Sequence, residues 1–322
     1  MRKGQLLMGI FACFTASISW GAMFPVADHA LEYMNPFYFS SIRYGAIAVV
    51  LFVVLLLKEG KKAFYLEGKG KSLVFLGTMA FTIYNVLVFL GQMWMGKSGV
   101  MVASIMEALM PMISICILWV YKHIKPKKYM IKSILIALAG AMLIITKGDM
   151  SFFLTVKDHI FSLGCIFMGV VGWVIYTMGG QTCSGWSTLR YSTLTCLFGT
   201  VVTIFITVVM TALGYISIPS MGTISIVKYD LIFMMTLPGI IALLAWNYGV
   251  KILSSINGIL FINLVPITTL VIMILQGYKI TTFDIVGVLL VSTALIHNNI
   301  YQRKEENINK QALQKKQIRQ AI

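Results

Sequence analysis

Residues 98–121 read SGVMVASIMEALMPMISICILWVY, a run fit for lipid except for one acid, Glu107, and one proline, Pro111. At about 1.5 Å per residue a helix of this length is roughly 35 Å long, enough to cross a hydrocarbon core of about 30 Å with a little tilt. Glu107 then lies on the order of 12 Å deep, where a carboxylate is costly unless it faces a wet cavity or a partner, so it reads as a functional residue. A second stretch follows the same plan. Residues 254–276, SSINGILFINLVPITTLVIMILQ, open with small residues and reach Pro266 where the first run reaches Pro111.

Working outward, hydrophobic residues make up 58% of the chain and charged ones 11%, which excludes a soluble globular protein. Apolar runs of spanning length fall at about 5–27, 36–57, 72–96, 99–121, 129–147, 159–180, 187–212, 230–250, 255–277 and 282–300. The expected fold is an all-α integral membrane protein of ten transmembrane helices, with no connection large enough to fold as a separate catalytic domain. The charged start and apolar centre of MRKGQLLMGIFACF are those of a secretory signal, but Trp20-Gly21 belongs to the repeat described below, so the segment reads as the first spanning helix.

The net charge of +15 is not the footprint of a nucleic-acid partner, because the basic residues collect in short connections and in the tail. With a cytoplasmic amino terminus, the inner connections hold Lys58, Lys61, Lys62, Lys69, Lys71, Lys122, Lys125, Lys127, Lys128 and Lys251, and the tail from Arg303 to Arg319 joins them. The outer connections hold few basic residues, and Asp28, Glu32, Asp149, Asp158 and Asp230 gather there. The positive-inside rule therefore places both termini in the cytoplasm of a plasma-membrane protein, with residues 301–322 as a polar basic tail.

The two halves repeat an order of landmarks. Trp20-Gly21, Arg43-Tyr44 and Pro111 in the first are matched by Trp173, Arg190-Tyr191 and Pro266 in the second. Five helices per half is an odd number, so the second copy enters the membrane from the opposite side, giving inverted repeats over 1–147 and 148–300. Taken in this order, the residues resemble the EamA-type branch of the drug/metabolite transporter superfamily over about residues 5–300. The landmarks are Trp20, Gly21 and Phe24; Arg43; Asn247, Tyr248 and Lys251 closing the eighth helix; Pro111 and Pro266; and Gly140 and Gly287 in the fifth and tenth helices. The resemblance implies cytoplasmic termini, a central cavity formed mainly by helices other than the fifth and tenth, and export of amino acids or related small metabolites. Two departures stand out: His123 and Tyr278 occupy positions where many members carry a glutamate, and Glu107 is not a general family residue.

Substrate-binding or coupling roles are expected for Glu107, Arg43, Trp20, Tyr84, Trp173, Tyr176, Trp246, Asn247 and Asn263, and hinge roles for Pro111 and Pro266. Trp20, Tyr84, Trp94, Trp173, Tyr176 and Trp246 are placed deep enough to line a cavity or to pack, whereas Trp119, Tyr121 and Tyr129 read as interfacial anchors. Arg43 and Glu107 fall at matching depths, which admits a direct pair or a shared wet cavity, and Arg190 sits close enough to a helix end to reach the surface. Alanine and glycine pairs, such as Gly140 with Gly148 and Gly164 with Gly169 and Gly172, read as helix-packing positions.

Catalysis is not expected: there is no His-Glu-x-x-His and no paired aspartates. No cofactor or metal is expected either, because the methionines do not cluster on one face and the five cysteines show no Cys-x-x-Cys. The absence of a Gly-x-x-x-x-Gly-Lys-[Ser/Thr] loop leaves a proton or other ion gradient, or facilitated movement, to drive a small-molecule substrate across the bilayer. The competing reading is a multidrug or lipophilic-cation efflux transporter of the same fold.

Overall fold

The computed structural model describes residues 3–123, 127–149, 152–253, 258, 260–294, 296–297, 300–301 and 304. Every regular element among them is helical. Six helices are long and apolar enough to cross a membrane: α1 (Lys3–Tyr33), α2 (Pro36–Glu59), α3 (Gly70–Met95), α6 (Phe152–Gly179), α7 (Thr188–Ala212) and α8 (Lys228–Leu253). A seventh span, α4, is built from Lys97–Ala108 and Met110–Lys122, bent by 49° at Leu109. A further apolar helix, α5 (Lys128–Thr146), and two shorter ones, α9 (Phe261–Leu275) and α10 (Thr282–Ala294), bring the described helices to the ten expected. The sixth helix begins at Phe152, inside a stretch that the hydropathy alone leaves as an interfacial connection.

Local sequence explains the breaks. Asn35 caps α2 by accepting from Phe37 N, with Pro36 at the first helical position, where no N–H is needed. Gly60, at φ +73°, stops the same helix and returns its N–H to Leu56. Pro111 stands second in the later half of α4, Met110–Lys122, and Pro266 stands third in the regular part of α9, just after a tighter turn at Leu260–Asn263. Both prolines therefore sit where their helices restart.

The helix neighbours obey one symmetry rule. α1 packs on α8 as α6 packs on α3; α1 packs on α9 as α6 packs on α4; α3 packs on α7 as α8 packs on α2. The pairs α2/α7 and α4/α9 map onto themselves, and so does α5/α10. A side chain on Gly140 would come within 2.7 Å of Gly287 O, and one on Gly287 within 2.6 Å of Gly140 O. Such reciprocity is that of two copies related by a pseudo-two-fold axis, the inverted arrangement that five helices per copy require.

A threonine seam holds α7 against α2 and α3. Thr200 donates to Tyr44 O at 3.4 Å, Thr203 meets the Thr82 hydroxyl at 2.9 Å and Thr207 the Ser41 hydroxyl at 2.8 Å, while Thr211 meets Tyr38 at 2.8 Å. Bonds of this kind between helices in lipid each contribute on the order of 0.6 kcal/mol. The opposite face of α7 presents Val201, Phe205 and Val208, exposed as lipid-facing residues should be.

Gly199 sits at the tightest point of the seam: an added Cβ would lie 2.2 Å from Gly77 O, and one on Gly77 would lie 2.3 Å from Thr195 O. Backbone cannot yield as a flexible side chain can, so Gly199→Ala is expected to lose about 1–3 kcal/mol of stability. Gly164 is the control, because a side chain there meets nothing within 4 Å and Gly164→Ala should melt at or above the parent temperature. Of the three glycines grouped as packing positions on α6, Gly169 and Gly172 face α3 and Gly164 does not. Equal melting of the Gly199 and Gly164 variants in detergent would refute the close-packing account.

Candidate functional site

Three tryptophans meet where the repeats join. Trp20 of α1 and Trp173 of α6 have ring centroids 5.2 Å apart at 83°, and Trp20 lies 5.1 Å from Trp246 of α8. Trp20 and Trp173 are equivalent in the two repeats, and equivalent residues touch only close to the symmetry axis. Tyr84 of α3 extends the cluster, 5.1 Å from Trp173, and so does Tyr176, 5.2 Å from the same ring. Trp20 Nε1 donates to Pro238 O at 3.2 Å, but the buried indole N–H of Trp246 meets no acceptor among the described residues.

Glu107 enters this aromatic box from the first half of α4, Lys97–Ala108. It is 1% exposed, and the Tyr84 hydroxyl donates to its Oε1. Its Oε2 is buried and meets no donor among the described residues. Tyr176 forms the opposite wall, its hydroxyl accepting from Asn247 Nδ2 at 2.9 Å, while Asn247 also donates to Ser192 Oγ at 2.8 Å. The structure thus gathers Trp20, Tyr84, Glu107, Trp173, Tyr176, Trp246 and Asn247. Asn263 lies on the turn that packs against Lys97–Ala108, with its buried Oδ1 lacking a donor among the described residues. Trp94, placed among the deep aromatics by its position in the run, is 52% exposed and belongs to the perimeter.

Arg43 does not form the direct ion pair with Glu107 that their matching depths admitted. Its Nε donates to Met234 O at 3.2 Å, Nη1 to Asn85 Oδ1 at 3.3 Å, and Nη2 faces Met23 Sδ at 3.6 Å. The guanidinium carbon lies 4.7 Å from the Tyr44 ring centroid. These partners have a common logic. Residues Thr78–Tyr84 of α3 and Met235–Ile241 of α8 are π-helical, at corresponding places in the two repeats. Pro238 has no N–H, so the Met234 carbonyl is left to the wider π turn, and Arg43 adds a side-chain donor to it. Asn85 in turn covers Ala80 O at 2.7 Å, inside the other π segment. Wide turns of this kind occur frequently at functional sites, and here one arginine joins both.

The two faces of the bundle are tied differently. On the side of the 59–69 and 180–188 connections, Trp186 Nε1 and Arg190 Nη2 both donate to Glu67, each at 2.7 Å, and the Arg190 guanidinium stacks 3.9 Å over the Trp186 ring. Arg190 therefore reaches the surface. The hydrogen bonds from Trp186 and Arg190 hold the Glu67 carboxyl below its ordinary range. Its contribution is thus present at neutral pH and lost only as pH falls through that lowered value. On the opposite face His29 Nδ1 meets Asp230 Oδ2 at 2.6 Å, joining α1 to α8.

Asn85, Pro238, the threonine seam and the Glu67 tie were not singled out by sequence reasoning. A polar Asn in mid-helix and a Pro-Gly pair at the centre of an apolar run were the available signals, and the threonines recur at helical spacing along one face of 188–212.

Comparison with known proteins bears on what this geometry serves. The model of the "EamA-like transporter family" matches the chain twice, at residues 7–146 and 160–299. Similar curated proteins include "Uncharacterized transporter YrdR" of Bacillus subtilis (strain 168), 65% identical over the whole of both chains. "Uncharacterized transporter YyaM" of the same organism is 28% identical over 90% of this chain and 95% of the other. A solved crystal structure superposes with a TM-score of 0.67 over 95% of this chain and all of the other, at 15% identity, a likeness that shows the fold alone. With two copies of the family's repeat covering nearly all of its helices, the chain belongs to the EamA-like transporter family.

Proposed function

We propose that the protein is a secondary transporter exporting amino acids or closely related small metabolites across the plasma membrane. Residues 1–147 rock against 148–300, Pro111 and Pro266 act as hinges, and both termini are cytoplasmic. One observation carries this reading: Glu107 offers a buried, unpartnered carboxylate oxygen inside a box of aromatic rings at the join of the two repeats. Such an oxygen is a receptor for an ammonium group or a proton, and rings on several sides suit the apolar part of a small solute. A site on the pseudo-symmetry axis meets each face in turn, as alternating access requires, and an ion exchanging at Glu107 would couple a gradient to the movement.

Efflux of lipophilic cations is the second reading, favoured by one feature. Arg43 is engaged by Met234, Asn85 and Met23, so the box contains an acid and rings but offers this arginine to no substrate carboxylate. Counterflow in proteoliposomes separates the two. Internal unlabelled L-leucine, L-phenylalanine or L-threonine is expected to drive uptake of the labelled amino acid, with tetraphenylphosphonium uptake at background. Tetraphenylphosphonium movement alone would transfer the conclusion to cation efflux, and movement of neither would overturn both.

The orientation rests on the distribution of lysine and arginine. Cysteines placed at Glu32 and Ser220 on a cysteine-free background are expected to react with an impermeant thiol reagent in intact cells, and one at Gln314 only after permeabilisation. The reverse pattern would invert the topology.

A further inference from the structure

A polar cavity lies apart from the aromatic box, beneath the Glu67 tie and between α6, α7 and α8. It has a volume of about 220 Å³ and is lined by Thr177, Gln181, Trp186, Tyr191, Asn247 and Lys251 among others. Its partition from the box is the Tyr176/Tyr191 pair, stacked at 5.4 Å and 16°, with Tyr191 donating to Tyr176 O at 3.2 Å. Asn247 faces both compartments, lining the cavity while bonding the Tyr176 hydroxyl.

Two features of the lining point to a ligand. Thr177 is 6% exposed, and its Oγ1 is buried without a partner among the described residues. The helical threonines 195, 203, 207 and 211 turn their hydroxyls back to the carbonyl four residues earlier, and Thr177 does not. A buried hydroxyl without a partner destabilises the fold, so its persistence at a cavity wall calls for an occupant. The second feature is charge. Lys251 is the charged residue of the lining; it gives one N–H to Trp186 O at 2.8 Å and retains further donors for a second acceptor. A cavity with an ammonium, hydroxyls and amides, and no acid among the described residues of its lining, selects an anionic group.

We propose that this cavity is a vestibular binding site for the carboxylate end of the transported solute, held by Lys251 and Thr177 before the solute passes Tyr176 and Tyr191 into the box. The proposal rests on the reading of the protein as a carrier with a path between its halves, and it assigns recognition of the carboxylate to a place distinct from Glu107. The order is chemically consistent: the carboxylate is taken by a cation near the surface, and the ammonium is taken by an acid on the axis.

The test uses full-length protein in nanodiscs, with Ser184→Cys as a thiol reporter in the cavity wall on a cysteine-free background. The rate of N-ethylmaleimide alkylation is measured with L-leucine, L-phenylalanine, L-threonine or L-arginine, each against its α-carboxamide at equal ionic strength. At least one acid is expected to protect the thiol, and its carboxamide to need about tenfold higher concentration, the cost of losing one charge-assisted hydrogen bond. Lys251→Gln should abolish the difference and Lys251→Arg should keep it. Thr177→Val should melt at or above the parent temperature and still weaken protection severalfold, a combination that a purely structural threonine does not give. Equal protection by acids and carboxamides, protection unaltered by Lys251→Gln, or no protection by any acid would overturn the site. If Lys251→Gln does not fold, the Thr177→Val result decides. Protection without amino-acid counterflow would sink the carrier reading and leave the site standing, and counterflow without protection would do the reverse.

Discussion

Glu107→Gln is expected to lower transport about hundredfold while leaving the fold intact, because truncating one partner of a buried charge contact costs on the order of 2–5 kcal/mol at a binding site. The two effects separate for a geometric reason. Glutamine keeps the size of Glu107 and an oxygen to accept the Tyr84 hydroxyl, so the contact that fixes the side chain in the box survives. What disappears is the charge at the other oxygen, which meets no donor among the described residues and therefore supports no packing contact that the variant could lose. Melting temperature in detergent should stay close to the parent value, and counterflow should fall to near background. Tyr84→Phe is the complementary change: it removes the one donor to Oε1 among the described residues, and transport should fall about tenfold through misplacement of the acid, by loss of one hydrogen bond to a charged group. Parent-level counterflow with unaltered pH dependence in a well-folded Glu107→Gln protein would exclude Glu107 from the cycle.

Glu107 was legible in the sequence because a single acid in a spanning run has few inexpensive explanations. The tryptophans were legible through the repeat: Trp20 and Trp173 occupy matching positions, and matching positions that touch define the axis. Trp94 was misplaced because hydropathy gives depth along a helix but not direction around it, and its ring points outward. The same limit applies to Arg43 and Glu107. Equal depth brought them to one layer of the membrane, but their partners depend on rotation about α2 and α4, and those rotations are set by contacts distant in sequence, such as the threonine seam between α7 and α2. The vestibular cavity was out of reach for a related reason. Thr177, Tyr191 and Lys251 come from three helices, and only their assembly makes a pocket of residues that are singly unremarkable.

Arg43 gives the second large effect, and it concerns movement more than binding. Its guanidinium connects the Met234 carbonyl, at the start of the wide turn around Pro238, with Asn85, which itself covers a carbonyl of the π-helical part of α3. Helices α3 and α8 correspond in the two repeats, so this one side chain, on α2, couples matching deformable segments across the join. Removing it takes a charged donor from two acceptors, at a cost of about 1–3 kcal/mol in all, but also relieves the burial of a charge that has no carboxylate partner among the described residues. The opposed terms should leave Arg43→Gln folded and less stable by about 2 kcal/mol or less, with transport reduced at least about tenfold because α3 and α8 no longer shift together. Arg43→Lys decides between charge and geometry. A single ammonium cannot reproduce the planar fork that reaches Met234 O through Nε and Asn85 through Nη1, so lysine should do no better than glutamine. The double variant Arg43→Gln/Asn85→Leu is expected to be no worse than the poorer single one, the non-additivity of residues acting as one unit. Full rescue by lysine, or independent losses that add, would show that Arg43 serves the cycle through its charge alone and that the two wide turns move without a common tie.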